Sequence, residues 1–372
     1  MPEEKPRGSK GKIRARKKRP GGKAKAAPAN PNQGRAMLIV NPTASDGETS
    51  KLVDGMLAML RDLGLDFDFQ LTDRPEHAIA LAREAALAGF STIVAVGGDG
   101  TVFEVVNGIM AVERARRPLL GIIPTGQAND FSRALDIPQD WLTACSFLLS
   151  SKKRAVDVGW MEYMSPDGVR TGYFANNVGL GFEGEANEMA ARMPLSLKKA
   201  VGGKGTKLLS MLVTFARYKE KEMELVVDGE SRRVLANSCI IANCRYFAGR
   251  MCIAPQADCS DGLFDVVVLG AGFGKPELSE PEGATAYHSA LEKGIAKLKV
   301  ARNIPRFYKG THLEDETVLV LKGSKVKVTS SDRMVMQADG EVIGEGPFTA
   351  EMVKAAIDII APEPPTLADE TP

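Results

Sequence analysis

The amino-acid sequence predicts a protein of two domains, the first α/β and the second mainly β. Its 372 residues exceed the length that one hydrophobic core usually serves. In the first part of the chain, short apolar runs alternate with stretches of helical periodicity, which is typical of a parallel sheet with helices on both faces. After residue 154, short strands and turns replace most helices, which indicates an antiparallel β domain.

The first domain is predicted to span residues 36–154 as a three-layer α/β domain. Apolar runs predict strands at 36–40, 66–72, 92–96 and 118–124, and apolar residues at helical spacing predict helices at 48–63 and 75–89. The strand at 92–96 is β-branched and does not alternate with polar residues. We therefore expect it to be buried on both faces of the sheet.

A glycine-rich turn, Gly-Gly-Asp-Gly-Thr at 97–101, follows this strand and precedes a helix. Its glycines let backbone N–H groups approach an anion, and the helix start adds the positive end of a dipole. Residues 99–101 are expected to cap that helix. The carboxylates of Asp99 and Glu104 suit Mg²⁺. The turn therefore predicts a phosphate-binding site, and the alternative is a tight turn without a ligand.

A second strand-turn-helix motif follows at 124–133, Pro-Thr-Gly-Gln-Ala-Asn-Asp-Phe-Ser-Arg. The ordered pair of motifs resembles the diacylglycerol kinase catalytic-domain family, which includes sphingosine kinases. That family carries Pro-x-Gly-Thr-x-Asn-Asp-Phe-Ala-Arg here, so this chain departs from it at Gln127. The Asn41-Pro42 pair is a partial match to a further family motif, because Ala44-Ser45 replaces the more usual Ser-Gly.

The resemblance implies ATP as the phosphoryl donor, Mg²⁺ as its metal ion, and an active site in the cleft between the two domains. The residues expected at the nucleotide are Asn41, Thr72, Gly97, Gly98, Asp99, Gly100, Thr101, Glu104, Gly126, Gln127, Asn129 and Asp130.

The second domain is predicted to span residues 155–334. Strands are expected at 155–160, 172–178, 222–227, 234–242, 264–269, 317–321 and 325–329, with a helix near 285–299. The run 179–184 matches a dinucleotide fingerprint, but no βαβ unit with a distant acidic residue follows it, so a glycine-containing turn is preferred to NAD binding. The basic, partly amphipathic stretch 198–221 is either a core-facing helix or a lid or membrane-facing helix.

Two acidic motifs lie in the second half of the chain. At 258–265 the resemblance implies a structural Mg²⁺ held by Asp261 and by main-chain oxygens of Asp258 and Leu263, and the alternative is a capped turn. The pair Asp339-Gly340 is by itself a hairpin turn signal. The resemblance places this pair in the cleft, makes Glu341 the general base, and implies that segment 335–362 returns to the first domain. Asp99 is expected to hold Mg²⁺ directly or through water.

The chain termini differ from the rest in composition. Residues 1–35 contain twelve Lys or Arg against Glu3 and Glu4, a charge of +10, so the remainder carries −9 of the net +1. This tail and residues 363–372 are expected to be disordered. The basic tail is either a solvated or targeting extension or an electrostatic tether to an anionic membrane. The scattered cysteines predict free thiols rather than zinc or disulfides.

These observations predict an ATP-dependent lipid kinase that converts diacylglycerol to phosphatidic acid. The alternatives are a kinase for a sphingoid or ceramide-type lipid, or a catalytically weak regulatory member that binds nucleotide or lipid. NAD kinase is disfavoured because segment 124–133 follows the lipid-kinase pattern. With no apolar run of eighteen residues and no secretory h-region, we expect a cytoplasmic, peripherally membrane-associated protein. A homodimer is left open, and no specific nucleic acid is expected.

Overall fold

The computed structural model describes residues 34–150, 152–270, 305–315 and 318–363. Its first half alternates strands and helices, as the sequence predicts. The elements are β1 (Ala36–Val40), α1 (Glu48–Asp62), β2 (Phe67–Leu71), α2 (His77–Leu87), β3 (Thr92–Gly97), α3 (Asp99–Met110), β4 (Leu119–Pro124), α4 (Asp130–Ala134) and α5 (Trp141–Phe147).

The four strands of this half are parallel and lie in the order β4-β3-β1-β2. Because side chains of a strand alternate between faces, Ile93 and Ala95 of β3 pack with α2 and α3, whereas Val94 and Val96 pack with α1 and α5. Both faces of β3 are therefore covered by helices, which explains its unbroken apolar run.

The second half is mainly antiparallel, which confirms the predicted β domain. Phe174 and Phe264 stack in its core with ring centroids 5.5 Å apart. Its elements are β5 (Arg154–Ser165), β6 (Gly168–Phe174), β7 (Asn177–Gly181), α6 (Phe182–Arg192), α7 (Leu195–Arg217), β8 (Lys221–Val227), β9 (Glu230–Ala242), β10 (Tyr246–Phe247), β11 (Met251–Cys252), β12 (Phe264–Gly270), β13 (Val318–Gly323), β14 (Lys325–Thr329), β15 (Val335–Ala338) and β16 (Glu341–Ile359).

The long strand β16 connects the two halves into one sheet. It pairs antiparallel with β15, β14 and β5, and near its end Ile359 pairs in parallel with Leu120 of β4. The backbone N–H of Ile360 then donates to Leu120 O at 2.9 Å. The hairpin that starts β16 is thereby fixed relative to the parallel strands.

Three predicted elements differ from the structure. The single strand expected at 172–178 is wrong: β6 ends at Phe174 and β7 starts at Asn177, because the N–H groups of residues 175–177 turn to the carboxylate of Asp339. The glycine-containing turn expected at 179–184 is wrong: these residues form the end of β7 and the start of α6, a helix that the pattern did not predict. The helix expected at 198–221 is α7, and it kinks at Gly202.

The helix predicted near 285–299 lies outside the described residues. Within the described part of the chain, no helix combines the length and apolar character needed to cross a membrane.

Candidate active site

A cavity of about 1760 Å³ lies at the carboxyl ends of β1, β3 and β4, between the α/β half and the β half. Ligands of open α/β sheets bind at such strand ends. The volume exceeds the roughly 300–1,000 Å³ of common ligand pockets, so it can hold a nucleotide and a second substrate together.

The glycines of the two strand-end loops are required because the loops pack against each other. A Cβ at Gly98 would lie 3.1 Å from the Cα of Gly126, and a Cβ at Gly126 would overlap Gly98. At Gly97 an added Cβ would overlap the side chain of Thr101. Gly97 itself lies behind the loop, whereas Gly98 and Gly126 line the cavity.

Helix α3 starts at the cavity without a side-chain cap. Its N-cap is Gly98, which has no side chain to cap the helix, so the predicted capping by residues 99–101 is wrong. Oδ1 of Asp99 instead accepts a hydrogen bond from the backbone N–H of Phe131 at 3.1 Å. The loop that follows β4 is thereby fixed to the start of α3.

Asn41 and Thr72 both line the cavity. Asn41 Nδ2 donates to Thr101 Oγ1 at 3.1 Å, and Asn41 Oδ1 accepts from Thr43 Oγ1 at 2.8 Å. The loop after β1 is therefore tied to the glycine loop. The backbone N–H of Thr72 donates to Val40 O at 2.8 Å, which places it beside that loop.

Gln127 is engaged with the loop after β1. Its Nε2 donates to Asp46 Oδ2 at 2.9 Å. Gly203, next to the kink of α7, covers this pair, since an added Cβ would lie 2.8 Å from Asp46 Oδ2 and 2.9 Å from Gln127 Nε2. Helix α7 thus reaches from the β half to the strand-end loops.

Asn129 and Asp130 have structural partners. Asn129 has a left-handed backbone, with φ 53°, and its Nδ2 donates to Gly126 O at 3.0 Å, behind the surface of the cavity. Asp130 lines the cavity and accepts hydrogen bonds from the backbone N–H groups of Gly249 and Arg250, each at 2.8 Å. It therefore joins the α/β half to the β10–β11 loop.

Glu104 also lines the cavity, but both its oxygens serve helix α2. Oε1 accepts from the N–H of Glu76 and Oε2 from that of Ala78, each at 2.9 Å. These bonds satisfy amide groups at the helix start. Of the two carboxylates that suit Mg²⁺, Asp99 is therefore the better placed.

The hairpin between β15 and β16 supplies the opposite wall. Asp339 and Gly340 have φ values of 47° and 93°, as a two-residue turn of type I′ requires, which confirms the predicted hairpin. The carboxylate of Glu341 then lies against the Cα of Gly100. Glu341 is exposed to the cavity, whereas Asp339 is buried.

Buried carboxyl groups lie close together at the centre of the site. Burial raises the pKa of Asp99 to about 6, the neighbouring Asp130 adds to this, and backbone N–H groups oppose it. Burial also raises the pKa of Asp339 to about 7, and the negative charge of Asp99 adds to this shift. The three backbone N–H groups that donate to the Asp339 carboxylate oppose it. A cation at Asp99 would relieve this repulsion.

The part of the cavity formed by the β half has many apolar side chains. They include Met161, Tyr163, Phe182, Met211, Val342 and Ile343. The β half therefore adds apolar side chains to a cavity that also has many polar and charged ones.

The turn at 258–263 does not line the cavity, and its carboxylates contact Arg154 and Lys322. Asp258 Oδ1 accepts from Arg154 at 3.1 Å, and Asp261 Oδ1 accepts from the N–H of Leu263 at 2.9 Å. Lys322 Nζ is 3.8 Å from Asp261 Oδ2. Within the described residues, no three His, Cys, Asp or Glu side chains form a metal cluster. Metal binding by Asp258, Asp261 and Leu263 stays a prediction.

Comparisons with known proteins agree with this architecture. The family model described as "Diacylglycerol kinase catalytic domain" matches residues 35–161, and "YegS C-terminal NAD kinase beta sandwich-like domain" matches residues 176–275 and 291–361. A diacylglycerol kinase of Bacillus subtilis (strain 168) is 30% identical over 335 residues, which cover 88% of this chain and 97% of the relative.

A protein of Chromohalobacter salexigens named "Probable lipid kinase YegS-like" is 27% identical, over 87% of this chain and 96% of its own. The crystal structure of a diacylglycerol kinase from Bacillus anthracis str. Sterne superposes with a TM-score of 0.65 at 23% identity, over 88% of this chain and 97% of that one. At 23% identity, this structural similarity establishes a shared fold only.

Proposed function

The chain belongs to the diacylglycerol kinase catalytic-domain family of lipid kinases, and we propose that it transfers the γ-phosphoryl group of ATP to the hydroxyl of diacylglycerol. One observation carries the proposal: the carboxylate of Glu341, from the β half, lies against Gly100 of the glycine loop. A phosphate on that loop and a hydroxyl beside Glu341 are then neighbours. Phosphoryl transfer requires this kind of positioning.

The strand-end loops that line the cavity suit a nucleotide. Backbone groups of Gly98, Gly100 and Gly126 border it, and the uncapped start of α3 favours an anion. The apolar side chains of the cavity suit the acyl chains of the acceptor, because Phe182, Val342 and Ile343 are at least partly exposed and carry no charge. A lipid with a single hydroxyl at its polar end would then meet the phosphate near Glu341.

In this proposal Glu341 is the general base. It accepts the proton of the lipid hydroxyl as the hydroxyl oxygen bonds to the γ-phosphorus, and the bond between the γ-phosphorus and the bridging oxygen breaks to release ADP. Asp339 holds the hairpin that presents Glu341, because its carboxylate accepts hydrogen bonds from the backbone N–H groups of residues 175–177, each at 2.9 Å.

The residues present fit Mg²⁺ at Asp99. Its carboxylate is a hard oxygen donor, and it lies close enough to Asp130 and Asp339 to interact electrostatically with both. When bound, Mg²⁺ supplies charge neutralisation for the phosphates. Asp99 would hold it, and Asp130 adds negative charge nearby.

A second candidate is a regulatory member that binds nucleotide or lipid with little turnover. The observation in its favour is Gln127, whose amide donates to Asp46 rather than standing free for a nucleotide. A sphingoid or ceramide-type acceptor is the alternative within the enzymes, since the apolar side chains of the cavity suit either kind of chain.

We further propose that the protein works in the cytoplasm at the surface of an anionic membrane. The +10 charge of residues 1–35 supports this. Helix α7 supports it as well, because Leu195 and Leu212 are 66% and 56% exposed.

An acceptor screen tests the function. The full chain is given ATP labelled at the γ-position, Mg²⁺, and mixed micelles of diacylglycerol, ceramide or sphingosine, with NAD as a soluble acceptor. We expect label in the lipid fraction, with the highest kcat/KM for diacylglycerol. Preferred labelling of another acceptor would overturn the assignment of diacylglycerol, and no labelling of any acceptor would favour the regulatory candidate.

A further inference from the structure

The loop between β10 and β11 has an unusual backbone. Ala248, Gly249 and Arg250 have φ values of 48°, 89° and 77°, three left-handed residues in a row. Glycine adopts this conformation easily, but alanine and arginine rarely do. Such strain persists only where the surroundings hold it, and it is concentrated at functional sites.

The carboxylate of Asp130 holds this loop. Its Oδ2 accepts from the N–H of Gly249 and its Oδ1 from that of Arg250, each at 2.8 Å. Asp130 is only 4% exposed, and its neighbour Phe131 donates its own N–H to Asp99. Two adjacent residues therefore connect Arg250 to Asp99: Asp130 accepts the N–H of Arg250, and Phe131 donates its N–H to Asp99.

The side chain of Arg250 is exposed and borders the same cavity as Asp99 and Glu341. Of the described residues that line this cavity, nine are Asp or Glu and four are Arg or Lys. A nucleoside triphosphate that enters would meet more acidic than basic side chains. A cationic side chain that can contact its phosphates would offset this repulsion.

Three of the four cationic side chains are already engaged. Arg74 pairs with Asp73 at 2.9 Å and Arg170 with Asp167 at 2.8 Å. Lys198 Nζ donates to Ala191 O at 2.8 Å. Across the described ranges, the guanidinium of Arg250 has neither an ion pair nor a hydrogen bond. It is the cavity cation that a phosphate can bind without breaking an existing contact.

We propose that Arg250 binds the terminal phosphoryl group of the nucleotide and stabilises it during transfer. The inference rests on the proposed function. A guanidinium presents parallel N–H donors that match two phosphoryl oxygens, and its charge offsets the charge of the equatorial oxygens in the transition state. Asp130 is the positioning residue, because it fixes the backbone from which this side chain extends.

Arg250→Ala and Arg250→Lys test the contact, with Arg233→Ala as the matched control. Arg233 is exposed on β9 and does not line the cavity. Calorimetric titration with the β,γ-imido analogue of ATP and with ADP, both with Mg²⁺, measures the preference for the triphosphate. We expect Arg250→Ala to lose about ten- to hundredfold in affinity for the analogue and in kcat, with ADP affinity unchanged. Arg250→Lys should recover part of the loss, and Arg233→Ala should match wild type.

Asp130→Asn tests the positioning, because an amide leaves one of the two N–H groups without an acceptor. When Arg250 is present, Asp130→Asn should reduce the preference for the ATP analogue over ADP. When it is combined with Arg250→Ala, it should cause no further reduction. Equal reductions in both would show that Asp130 does not act through Arg250.

The outcomes separate the inference from the proposed function. A wild type that phosphorylates lipid while Arg250→Ala keeps its kcat and triphosphate preference would overturn the inference alone. A wild type that binds neither nucleotide would overturn both.

Discussion

The carboxylate of Glu341 lies so close to the Cα of Gly100 that a Cβ at position 100 would overlap its Oε1. The two residues come from opposite halves of the molecule, Gly100 from the start of α3 and Glu341 from the start of β16. The glycine therefore makes room for an acidic group beside the phosphate-binding loop.

Gly100→Ala should displace this carboxylate while the fold is retained, because the added methyl meets the end of a flexible side chain. A misplacement of about 1 Å can cost on the order of 100-fold in rate, and we expect kcat to fall by about that factor. Gly55→Ala in α1 is the control, since its Cβ would meet Trp141 at 3.8 Å. Thermal unfolding of both variants checks the fold. A kcat equal to wild type in Gly100→Ala would show that the contact is unimportant.

Gln127→Thr should lower the KM for ATP. In the family a threonine hydroxyl stands at this position beside the nucleotide, whereas the Gln127 amide is engaged with Asp46. Steady-state kinetics with varied ATP provides the measurement. An unchanged or higher KM would contradict the expectation. A wild type that binds no ATP until this substitution is made would favour the regulatory candidate.

The local features of the site were predictable from sequence because neighbouring residues encode them. The glycine run 97–101 and the Asp339-Gly340 turn have the backbone roles that their composition requires. The contacts of Asp130 were not predictable, because they join residues 119 and 120 positions apart. The break at 175–176 was missed for the same reason, since the carboxylate that causes it belongs to Asp339.

Glu183 provides a test of pH-dependent stability. Burial raises its pKa from 4.5 to about 7, although the Ser238 hydroxyl that donates to Oε1 opposes the shift. Oε2 lacks a hydrogen-bond partner in the described structure. The folded state thus holds a proton that the unfolded state releases, so this stabilisation is complete below pH 4.5 and is lost as the pH rises through 7.

Glu183→Gln removes this titration. We expect its free energy of unfolding to exceed that of wild type at pH 8 by up to about 3 kcal/mol, and the difference to shrink towards pH 5. Urea unfolding between pH 5 and 8 measures it. Glu220→Gln, an exposed control near the end of α7, should leave the pH profile unchanged. Parallel profiles for Glu183→Gln and wild type would rule out the buried carboxyl as a source of the dependence.

Removal of residues 1–34 should weaken binding to anionic vesicles. Each basic residue near such a surface contributes about 1 kcal/mol, so a few contacts suffice, and the effect should diminish with added salt. Turnover on detergent-solubilised lipid should be unaffected. Vesicle sedimentation at two salt concentrations measures the binding, and equal sedimentation of both proteins would exclude the tether.

The division of roles between Asp99 and Glu341 has a separate test in nucleotide binding. Asp99→Asn should impair Mg²⁺-dependent binding of ATP as well as turnover, because it removes the carboxylate that would hold the metal ion. Glu341→Gln should bind MgATP as wild type does. The reverse pattern in MgATP titrations would show that the two carboxylates have been assigned the wrong way round.

Transfer of label from γ-labelled ATP to diacylglycerol, measured side by side for wild type and Glu341→Gln, tests the proposed catalysis most directly. General-base catalysis is typically worth about 10²- to 10⁴-fold, so the variant should lose that factor in kcat while the wild type labels the lipid. No labelled lipid from the wild type, or equal rates for the two proteins, would contradict it.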